Sequence, residues 1–259
     1  MPEPLIIFIH IPKTAGRTLR TVIRGQYRRQ QICITSQTAG DPFRDYLNLP
    51  AEQKAQVRLV QGHFPYGLHE HVDGPAVYAT MLRDPIARVI SYYRFVRDHP
   101  EHKNHATVMA NGLAGFINET QSRQLDNAQL RYLATAQDAP FGACTEAMLE
   151  QAIRRMDERF VAVGLVEAFD DSLLLMARAL KWRLPVYRSI NVSKHRLGDA
   201  ELTDDLLDRL RDYNRLDQRL YDYARQRFEE TVRAQSTRLA WDRRRLRVMN
   251  RLRAWQVHE

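Results

Sequence analysis

The sequence has only two cysteines among 259 residues, Cys33 and Cys144, and it lacks any run of eighteen consecutive apolar residues. Two distant cysteines exclude a disulfide framework and fit a reducing compartment. Without a long apolar run, no membrane span is predicted. The first apolar run, Leu5–Ile9, is too short for the core of a secretion signal, and no basic segment precedes it. We therefore expect a cytoplasmic protein.

Acidic residues are scarce near the C-terminus, and this scarcity explains the net charge of +8. Residues 231–259 hold eight arginines against Asp242 and Glu259, so they carry +6 and leave +2 for residues 1–230. The main part of the chain is therefore nearly neutral, and we do not expect a nucleic-acid partner. We divide the chain into a main domain, 1–230, and an arginine-rich helical tail, 231–259.

The tail has an apolar side formed by Leu246, Met249, Leu252 and Trp255 among its arginines. A helix of this kind can bind a membrane surface with anionic lipid, a partner subunit or an acidic polymer. It can equally pack on its own domain, with the arginine stems as cover. The sequence favours neither interpretation over the other.

Strand-like and helical segments alternate along the main domain. The predicted strands are Leu5–His10, Ile32–Thr35, Arg58–Gly62, Ala76–Leu82 and Phe160–Leu165. Helices are predicted over residues 17–29, 85–98, 107–134, 145–158 and 169–182, and two more are joined near Tyr213–Asn214. This alternation indicates a single α/β domain whose central parallel sheet is flanked by helices on both faces. Residues 64–75 and 99–106 are predicted to be functional or flexible loops.

The segment PKTAGRT, residues 12–18, joins the first strand to the first helix. Such a turn directs free backbone N–H groups and the positive end of the helix at one point, which makes an anion site. Lysine adds a mobile charge, arginine a planar fork and threonine a hydroxyl donor, while glycine allows close approach. The predicted anion-binding residues are Lys13, Thr14, Ala15, Gly16, Arg17 and Thr18. The alternative is a well-capped turn without a ligand.

This segment departs from the nucleotide-binding P-loop, G-x-x-x-x-G-K-[ST]. The first glycine is absent, Lys13 precedes Gly16, and Arg17 stands where the P-loop has its lysine. A nucleotide-dependent phosphotransferase is therefore an alternative that the order of residues disfavours. A non-catalytic module that binds through the basic tail is a second alternative.

The stretch FIHIPKTAGRTL, residues 8–19, resembles the 5′-phosphosulfate loop of sulfotransferases that use 3′-phosphoadenosine 5′-phosphosulfate (PAPS), especially the carbohydrate O-sulfotransferases. The second motif of that family, a strand-ending arginine with a serine eight residues later, is matched by Arg83 and Ser91 in MLRDPIARVISYYRF. DNAQLRYL (126–133), INVSK (190–194) and YNRLDQRLYDYARQRF (213–228) also look like this family. The resemblance spans residues 5–230 and implies a P-loop-like three-layer fold, PAPS as sulfuryl donor and no metal.

The resemblance also implies roles for the second motif and for the INVSK segment. Arg83 ends a strand at the carboxyl edge of the sheet, where ligands collect in such folds, and with Ser91 it would hold the 3′-phosphate of the nucleotide. By resemblance, Ser193 and Lys194 would close over the nucleotide and touch its phosphate. A simple surface loop is the alternative for these two residues.

His63 is the candidate general base for the acceptor hydroxyl, because it follows the strand RLVQG at the same edge. In the uronyl 2-O-sulfotransferases, which the chain resembles, a histidine at the equivalent position is catalytic and another stands two residues earlier. Here that earlier position is Gln61, which puts a two-histidine mechanism in doubt. Lys13 is assigned to the leaving phosphate oxygen in an in-line displacement.

These features predict an O-sulfotransferase acting on a carbohydrate or glycolipid, and its cytoplasmic character suggests a bacterial enzyme. Loops 64–75 and 99–126 are expected to shape the acceptor pocket. Histidines recur in these loops at spacings that zinc sites can use, but without cysteine or another clear ligand, so solvated side chains are the favoured interpretation. The cations available for acidic groups of the acceptor are Arg94, Arg97, Lys103 and Arg123.

Overall fold

Five apolar segments pair into one parallel sheet in the computed structural model, which describes residues 3–35, 40–188 and 202–255. The strands are β1 (Leu5–Ile9), β2 (Ile32–Thr35), β3 (Leu59–Gly62), β4 (Ala76–Leu82) and β5 (Phe160–Leu165). Their order across the sheet is β2-β3-β1-β4-β5, and every pairing is parallel. The predicted strands are confirmed, with small shifts at two ends.

Helices cover both faces of this sheet. They are α1 (Gly16–Gln26), α2 (Arg44–Leu47), α3 (Ala51–Gln56), α4 (Pro85–Arg97), α5 (His105–Glu119), α6 (Ala128–Leu133), α7 (Glu146–Arg159), α8 (Phe169–Ala179), α9 (Asp204–Tyr213), α10 (Arg215–Ala234) and α11 (Ser236–Trp255). Helix α4 begins as its sequence predicts, because the side chain of Asp84 accepts a hydrogen bond from the Ala87 N–H and Pro85 occupies the first helical position.

The alternation of side chains along β1 produces the layers of the fold. Ile7 packs in a cluster that includes Leu220 of α10, on one face of the sheet. The next residue, Phe8, points to the other face, where it packs with Leu19 of α1 and Leu173 of α8. Helices α4, α5 and α9 surround an apolar cluster of their own. The predicted three-layer α/β architecture is therefore confirmed.

The strand order contains a reversal of direction next to β1. The chain first builds β2 and β3 on one side of β1, and then crosses to place β4 on the other side. In open parallel sheets, ligands bind at the carboxyl edge where the strand order reverses. The carboxyl ends of β1, β3 and β4 are consequently the place to look for a site.

The prediction of one continuous helix over residues 107–134 is wrong. In the structure α5 ends at Glu119, a 3-10 turn covers Arg123–Leu125, and α6 starts at Ala128. Gln121 and Asn127 have φ angles of 43° and 45°, in the left-handed region, and such residues interrupt a right-handed helix. Gly112, with a φ of 58°, kinks α5 itself. The apolar periodicity of the sequence does not reveal the turns at Gln121 and Asn127.

The arginine-rich tail packs on the domain through one of its faces. Helix α10 runs past residue 231, and α11 then lies along α8. Leu239 and Leu246 of α11 are fully buried and cluster with Leu174 of α8. Arg243 forms an ion pair with Asp171 of α8. Within the described ranges, no helix combines the length and apolarity needed to cross a membrane.

Candidate active site

Three neighbouring strands end close together at the carboxyl edge of the sheet. Ile9 pairs in register with Gly62, so β1 and β3 end level, and His10 and His63 directly follow them. On the other side of β1, β4 continues two residues further before Arg83 follows. Because the strands are parallel, the candidate base and the two binding motifs are delivered to the same edge.

The loop between β1 and α1 has an unusual backbone. Lys13 has a φ of 72° and Ala15 a φ of 60°, and Ala15 is the residue that immediately precedes α1. Residues other than glycine seldom adopt the left-handed conformation, and those that do cluster at functional sites. The turn leads directly into the first turn of α1, whose N–H groups lack partners within the helix and form an anion-binding end.

The two threonines of this loop are both buried. The hydroxyl of Thr14 donates a hydrogen bond to the carbonyl oxygen of Ile11 at 2.9 Å. The sequence predicts that hydroxyl as a donor to the ligand, whereas in the structure its hydrogen is used inside the loop. Thr18 is buried on the first turn of α1, and Arg17 beside it is exposed.

Arg83 connects the second motif to the first. Its Nη1 donates a hydrogen bond to the carbonyl oxygen of Lys13 at 3.1 Å, although 70 positions separate the two residues in the sequence. The side chain of Lys13 reaches towards α4, where its Nζ lies 4.3 Å from the centroid of the Phe95 ring. Ring faces attract cations in this arrangement. The two motifs therefore meet at one rim of the fold.

Gln129 of α6 fixes the backbone of Arg83. Its Oε1 accepts a hydrogen bond from the Arg83 N–H at 2.9 Å, and its Nε2 donates to the Arg83 carbonyl at 2.8 Å. The backbone N–H groups of Gln129 and Leu130 in turn donate to the carboxylate of Asp217 on α10, at 3.0 and 2.7 Å. Asp217 is fully buried. This chain of hydrogen bonds gives the DNAQLRYL and YNRLDQRL segments a role in holding the site.

The rim brings several cations together, among them Lys13, Arg17, Arg83 and Arg94. Burial, followed by the charges of Arg17 and Arg83, lowers the pKa of Lys13 to about 8. Burial is also the main cause that lowers the pKa of Arg83; Glu167 opposes it and Arg94 adds to it. Like charges held together in a partly buried place repel one another, and a bound anion relieves this repulsion. The electrostatics therefore favour a ligand with several negative charges.

Two guanidinium nitrogens at this rim lack hydrogen-bond partners among the described residues. They are the Nε atoms of Arg83 and Arg94, and both are buried; on the same helix as Arg94, the buried Nε of Arg88 also lacks a partner among these residues. A buried donor without a partner costs about 1–3 kcal/mol, which an anion at this position would recover. Arg94 lies on α4 three residues after the half-buried Ser91. The sequence makes Arg94 available to the acceptor; in the structure it follows Ser91 on α4, and its charge contributes to lowering the pKa of Arg83.

His10 and His63 form a stacked pair. Their ring centroids lie 4.3 Å apart with an interplanar angle of 28°. The Nδ1 of His63 lies 2.6 Å from the backbone carbonyl oxygen of His10. Because a carbonyl oxygen can only accept, Nδ1 carries the hydrogen in this contact. In this tautomer the Nε2 of His63 carries no hydrogen and has an available lone pair, as a general base requires.

Both rings of this pair are neutral at pH 7. Burial is the largest cause that lowers the pKa of His63; the hydrogen bond to His10 opposes it, while Arg20 and Lys13 reinforce it. Burial and the neighbouring His63 lower the pKa of His10 to about 3. The low pKa of His63 keeps the ring ready to accept a proton, because the ring stays unprotonated until the solution is more acidic than usual for histidine.

His10 is a site residue that the sequence did not predict. Its ring lies directly against Gly16, where an added Cβ would be 1.7 Å from Nε2. Glycine is therefore required at residue 16 by a protein side chain, in addition to any ligand. His10 becomes recognisable once β1 is known to lie beside β3, because the two histidines then follow paired strands. This chain has Gln61 where the uronyl 2-O-sulfotransferases have their second histidine, but a second imidazole ring, that of His10, still lies beside His63.

Four other positions considered from the sequence have separate outcomes. Gln61 is buried in β3, and its Nε2 lacks a partner among the residues that the structure describes. Ser91 is half-buried on α4, on the helix that follows Arg83. Ser193 and Lys194 lie outside the described residues.

Two histidines between α4 and α5 contact backbone carbonyl oxygens of α4. The Nδ1 of His99 lies 2.7 Å from the carbonyl oxygen of Phe95, and the Nδ1 of His105 lies 3.0 Å from that of Val96. These contacts fix the connection between α4 and α5. In the described part of the chain, no three His, Cys, Asp or Glu side chains are grouped so as to hold a metal ion.

The fold and this edge define a class of protein. A parallel α/β sheet whose first strand leads through a cationic turn into a helix is an architecture that binds the phosphates of nucleotides. The sequence model of the galactose-3-O-sulfotransferase family matches residues 1–257 of the chain. The chain belongs to the galactose-3-O-sulfotransferase family.

The chain is also similar to individual sulfotransferases. Human galactose-3-O-sulfotransferase 2 is 26% identical over 275 residues, an alignment that covers 98% of this chain and 66% of the human protein. The chain thus spans slightly less than two thirds of the length of that relative. Among solved structures, mouse sulfotransferase SULT7A1 complexed with PAP matches at 16% identity with a TM-score of 0.42, covering 82% of this chain and 65% of the mouse chain.

The family match confirms the broader of the two resemblances drawn from the motifs, the one to carbohydrate sulfotransferases. The chain is a member of a carbohydrate sulfotransferase family, as FIHIPKTAGRTL and Arg83 with Ser91 indicate. The closer resemblance to uronyl 2-O-sulfotransferases is not supported, because the matching family and the human relative are both galactose-3-O-sulfotransferases.

Proposed function

We propose that this protein is an O-sulfotransferase that uses PAPS to place a sulfuryl group on a hydroxyl of a carbohydrate, in a glycan or a glycolipid. The observation that carries the proposal is the 3.1 Å hydrogen bond from Arg83 to the carbonyl oxygen of Lys13. This bond joins the motifs of Lys13 and Arg83, each of which suits a phosphate. His63 lies at the same edge of the sheet, in the tautomer that can act as a general base. Membership of the galactose-3-O-sulfotransferase family supports the same activity.

The residues at the rim fit a donor with phosphates at both ends. The first helical turn of α1, with Lys13 and Arg17, suits the 5′-phosphosulfate group. Arg83, with Arg94 and Ser91 on α4, suits the 3′-phosphate, and the unpaired Nε atoms of the two arginines are donors available for it. PAPS supplies an activated sulfuryl group and leaves as adenosine 3′,5′-bisphosphate. Ser193 and Lys194 remain part of the proposal as residues that cover the nucleotide.

His63 acts as the general base in this proposal. Its Nε2 accepts the proton of the acceptor hydroxyl as the oxygen of that hydroxyl forms its bond to sulfur. The hydrogen bond from Nδ1 to the His10 carbonyl holds the ring in the required tautomer. The same bond stabilises the ring after it has taken the proton, because a protonated ring donates more strongly.

Lys13 stabilises the other side of the reaction. As the bond between sulfur and the bridging oxygen breaks, negative charge grows on the departing phosphate, and the Lys13 ammonium group offsets it. The proton that His63 accepted passes to solvent after the sulfate ester departs. The transfer is direct and in-line, and no residue of the chain forms a covalent intermediate.

His10 is a positioning residue in this mechanism. Its ring lies between Gly16 of the donor loop and the ring of His63, so it sets the spacing between the donor site and the base. A neutral ring performs this task without adding another positive charge to a rim that already holds several. Its burial therefore serves the electrostatics of the donor loop as well as the packing.

The acceptor of this proposal is a galactose unit, because both the family and the human relative carry that sugar in their names. The loop 64–75 buries Phe64, Tyr66 and Leu68, so much of it supports the core. We assign the acceptor pocket to the space in front of His63, bordered by this loop and by the segment 99–126.

Two measurements test the function. Thermal unfolding is followed with adenosine 3′,5′-bisphosphate and, separately, with ATP plus magnesium; a ligand at 100 times its Kd stabilises the native state by about 2.7 kcal/mol. We expect a shift with the bisphosphate and a smaller one with ATP. Labelled PAPS is then offered with galactosides and with uronic-acid glycans. Preference for ATP, or no response to either nucleotide, contradicts the proposal, whereas transfer to uronic acid contradicts only the acceptor.

A further inference from the structure

Helix α11 has a second apolar face that the residues described by the structure leave uncovered. Among the described residues, four of the seven large apolar side chains that are exposed lie on this one helix. They are Trp241, Val248, Met249 and Leu252, with exposed fractions of 69%, 49%, 43% and 55%. The spacing of seven and then four residues from Trp241 to Leu252 places them on one side. Leu239 and Leu246, which pack on α8, lie on another.

This face borders a groove between α1 and α11 with a volume of ≈ 600 Å³. Trp241, Val248 and Met249 contribute apolar surface to the groove, and Arg244 and Arg245 lie among them. None of the residues that line the groove is acidic. The groove therefore combines exposed apolar side chains with positive charge that no carboxylate in its lining balances.

The charge extends beyond the groove along both helices. On α11, Arg238, Arg247 and Arg251 are exposed, and on α1 the exposed arginines include Arg20 and Arg24. Two acidic residues at the inner face of α11, Asp171 and Asp242, are paired with Arg243 and Arg178 respectively. The stripe is apolar, contains a tryptophan and is flanked by arginines, such as Arg244 and Arg245, for which the described part of the chain provides no ion-pair partner. This is the composition of helices that lie in the surface of a membrane containing anionic lipids.

We infer that the outer face of α11, together with the adjoining groove, docks the protein on an anionic lipid membrane. Trp241, Val248 and Leu252 enter the boundary between headgroups and acyl chains, and the arginine stems extend to the lipid phosphates. The packing of Leu239 and Leu246 on α8 holds the helix in place before it binds, so the chain pays little ordering entropy on contact. This inference is independent of the proposed reaction.

Vesicle flotation of the full chain tests the inference. The protein is mixed with vesicles of phosphatidylcholine alone and with vesicles containing 30% phosphatidylglycerol, and its partition coefficient is measured in each. We expect binding to the anionic vesicles at least about tenfold stronger than to the neutral ones, and weaker as salt rises. Equal partition into both, or none into either, overturns the inference.

Variants separate this face from a general effect of charge. Arg244→Glu with Arg245→Glu, and separately Trp241→Ser with Val248→Ser, are expected to lower partition by about tenfold or more. The matched control is Arg154→Glu with Arg159→Glu on α7, across the sheet from α1 and α8, which makes the same change in net charge with exposed arginines. Equal loss in the control contradicts the inference.

A second copy of the chain is the competing occupant of this face. Sedimentation velocity without lipid measures the oligomeric state of the wild type and of Trp241→Ser with Val248→Ser. A dimer that these substitutions dissociate contradicts the membrane assignment, and a wild type and variant of equal mass support it. Thermal unfolding of all variants confirms that each is folded, and exposed positions such as these are expected to change stability little.

Discussion

Gln129 forms two hydrogen bonds with the backbone of Arg83, one to its N–H at 2.9 Å and one from its side-chain amide to the carbonyl at 2.8 Å. This pairing replaces the strand partner that the backbone loses where β4 ends. Gln129 is fully buried and is itself placed by the carboxylate of Asp217. The direction in which Arg83 leaves the sheet is therefore set from α6 and α10, far from Arg83 in the sequence.

Replacing Gln129 by leucine removes both hydrogen bonds while preserving most of the volume. We expect Gln129→Leu to lower the free energy of unfolding by about 2 kcal/mol or more, because two backbone groups of Arg83 lose their partners. Affinity for adenosine 3′,5′-bisphosphate should fall as well. Urea unfolding and calorimetric titration measure the two effects. The control is Gln53→Leu, at an exposed position of α3, and a similar loss in both variants would refute the assignment.

Arg94 should contribute to nucleotide binding as strongly as Arg83. We expect Arg83→Ala and Arg94→Ala each to weaken binding of adenosine 3′,5′-bisphosphate by about 10- to 100-fold, because a hydrogen bond to a charged group contributes about 1.5–3 kcal/mol. The matched control is Arg97→Ala, one turn further along α4, whose guanidinium contacts Asp98 and Tyr93. If Arg94→Ala binds like this control while Arg83→Ala does not, Arg94 belongs to the acceptor.

The outcomes at these positions show which parts of a site a sequence can reveal. Lys13 and Arg83 are recognisable because each follows an apolar strand, and the ends of parallel strands share an edge. His10 also follows a strand, but its importance depends on β1 lying beside β3, which the local pattern does not encode. Gln129 lies 46 positions from Arg83, within a segment that reads as one continuous helix until the left-handed residues of its turns are known.

His63→Ala should separate catalysis from binding. Loss of a general base lowers kcat by about 10²- to 10⁴-fold, whereas the donor contacts of the proposed site do not involve this ring. We therefore expect the Kd for adenosine 3′,5′-bisphosphate to change by less than about twofold. The control is His71→Ala, an exposed histidine at the end of a 3-10 turn. Retention of full turnover in His63→Ala would assign the base to another residue.

The pH dependence follows from His63 and Lys13. His63 works only when neutral, and burial holds its pKa below the usual 6.5, so kcat/KM should fall only at pH values below 6.5. Lys13 works only when protonated, and its pKa of about 8 makes kcat/KM fall as pH rises through that value. Bound donor should raise the pKa of Lys13, so the alkaline limb of kcat lies at higher pH than that of kcat/KM. A Lys13→Arg variant should lose the alkaline limb from its residual activity, and its persistence would contradict this assignment.

Because the ring of His10 lies against Gly16, we expect the effects of Gly16→Ala and His10→Ala to depend on each other. An alanine Cβ at residue 16 would lie 1.7 Å from the Nε2 of His10, so Gly16→Ala must displace a ring that also stacks on His63. We expect a loss of about 1–3 kcal/mol in the free energy of unfolding, together with a fall in kcat. The control on the same helix is Gly25→Ala, where no atom lies within 4 Å of the new Cβ and alanine should stabilise α1 by about 0.5–1 kcal/mol.

Removing the ring of His10 should cancel much of that loss. In a His10→Ala background the space beside residue 16 is open, so adding Gly16→Ala should cost little, and the two free-energy changes should differ from additivity by about 1–3 kcal/mol. His10→Phe keeps a ring against His63 and should retain more kcat than His10→Ala if positioning is the role of this side chain. Additive effects of His10→Ala and Gly16→Ala, or equal kcat in His10→Phe and His10→Ala, would mean that the stack does not position the base.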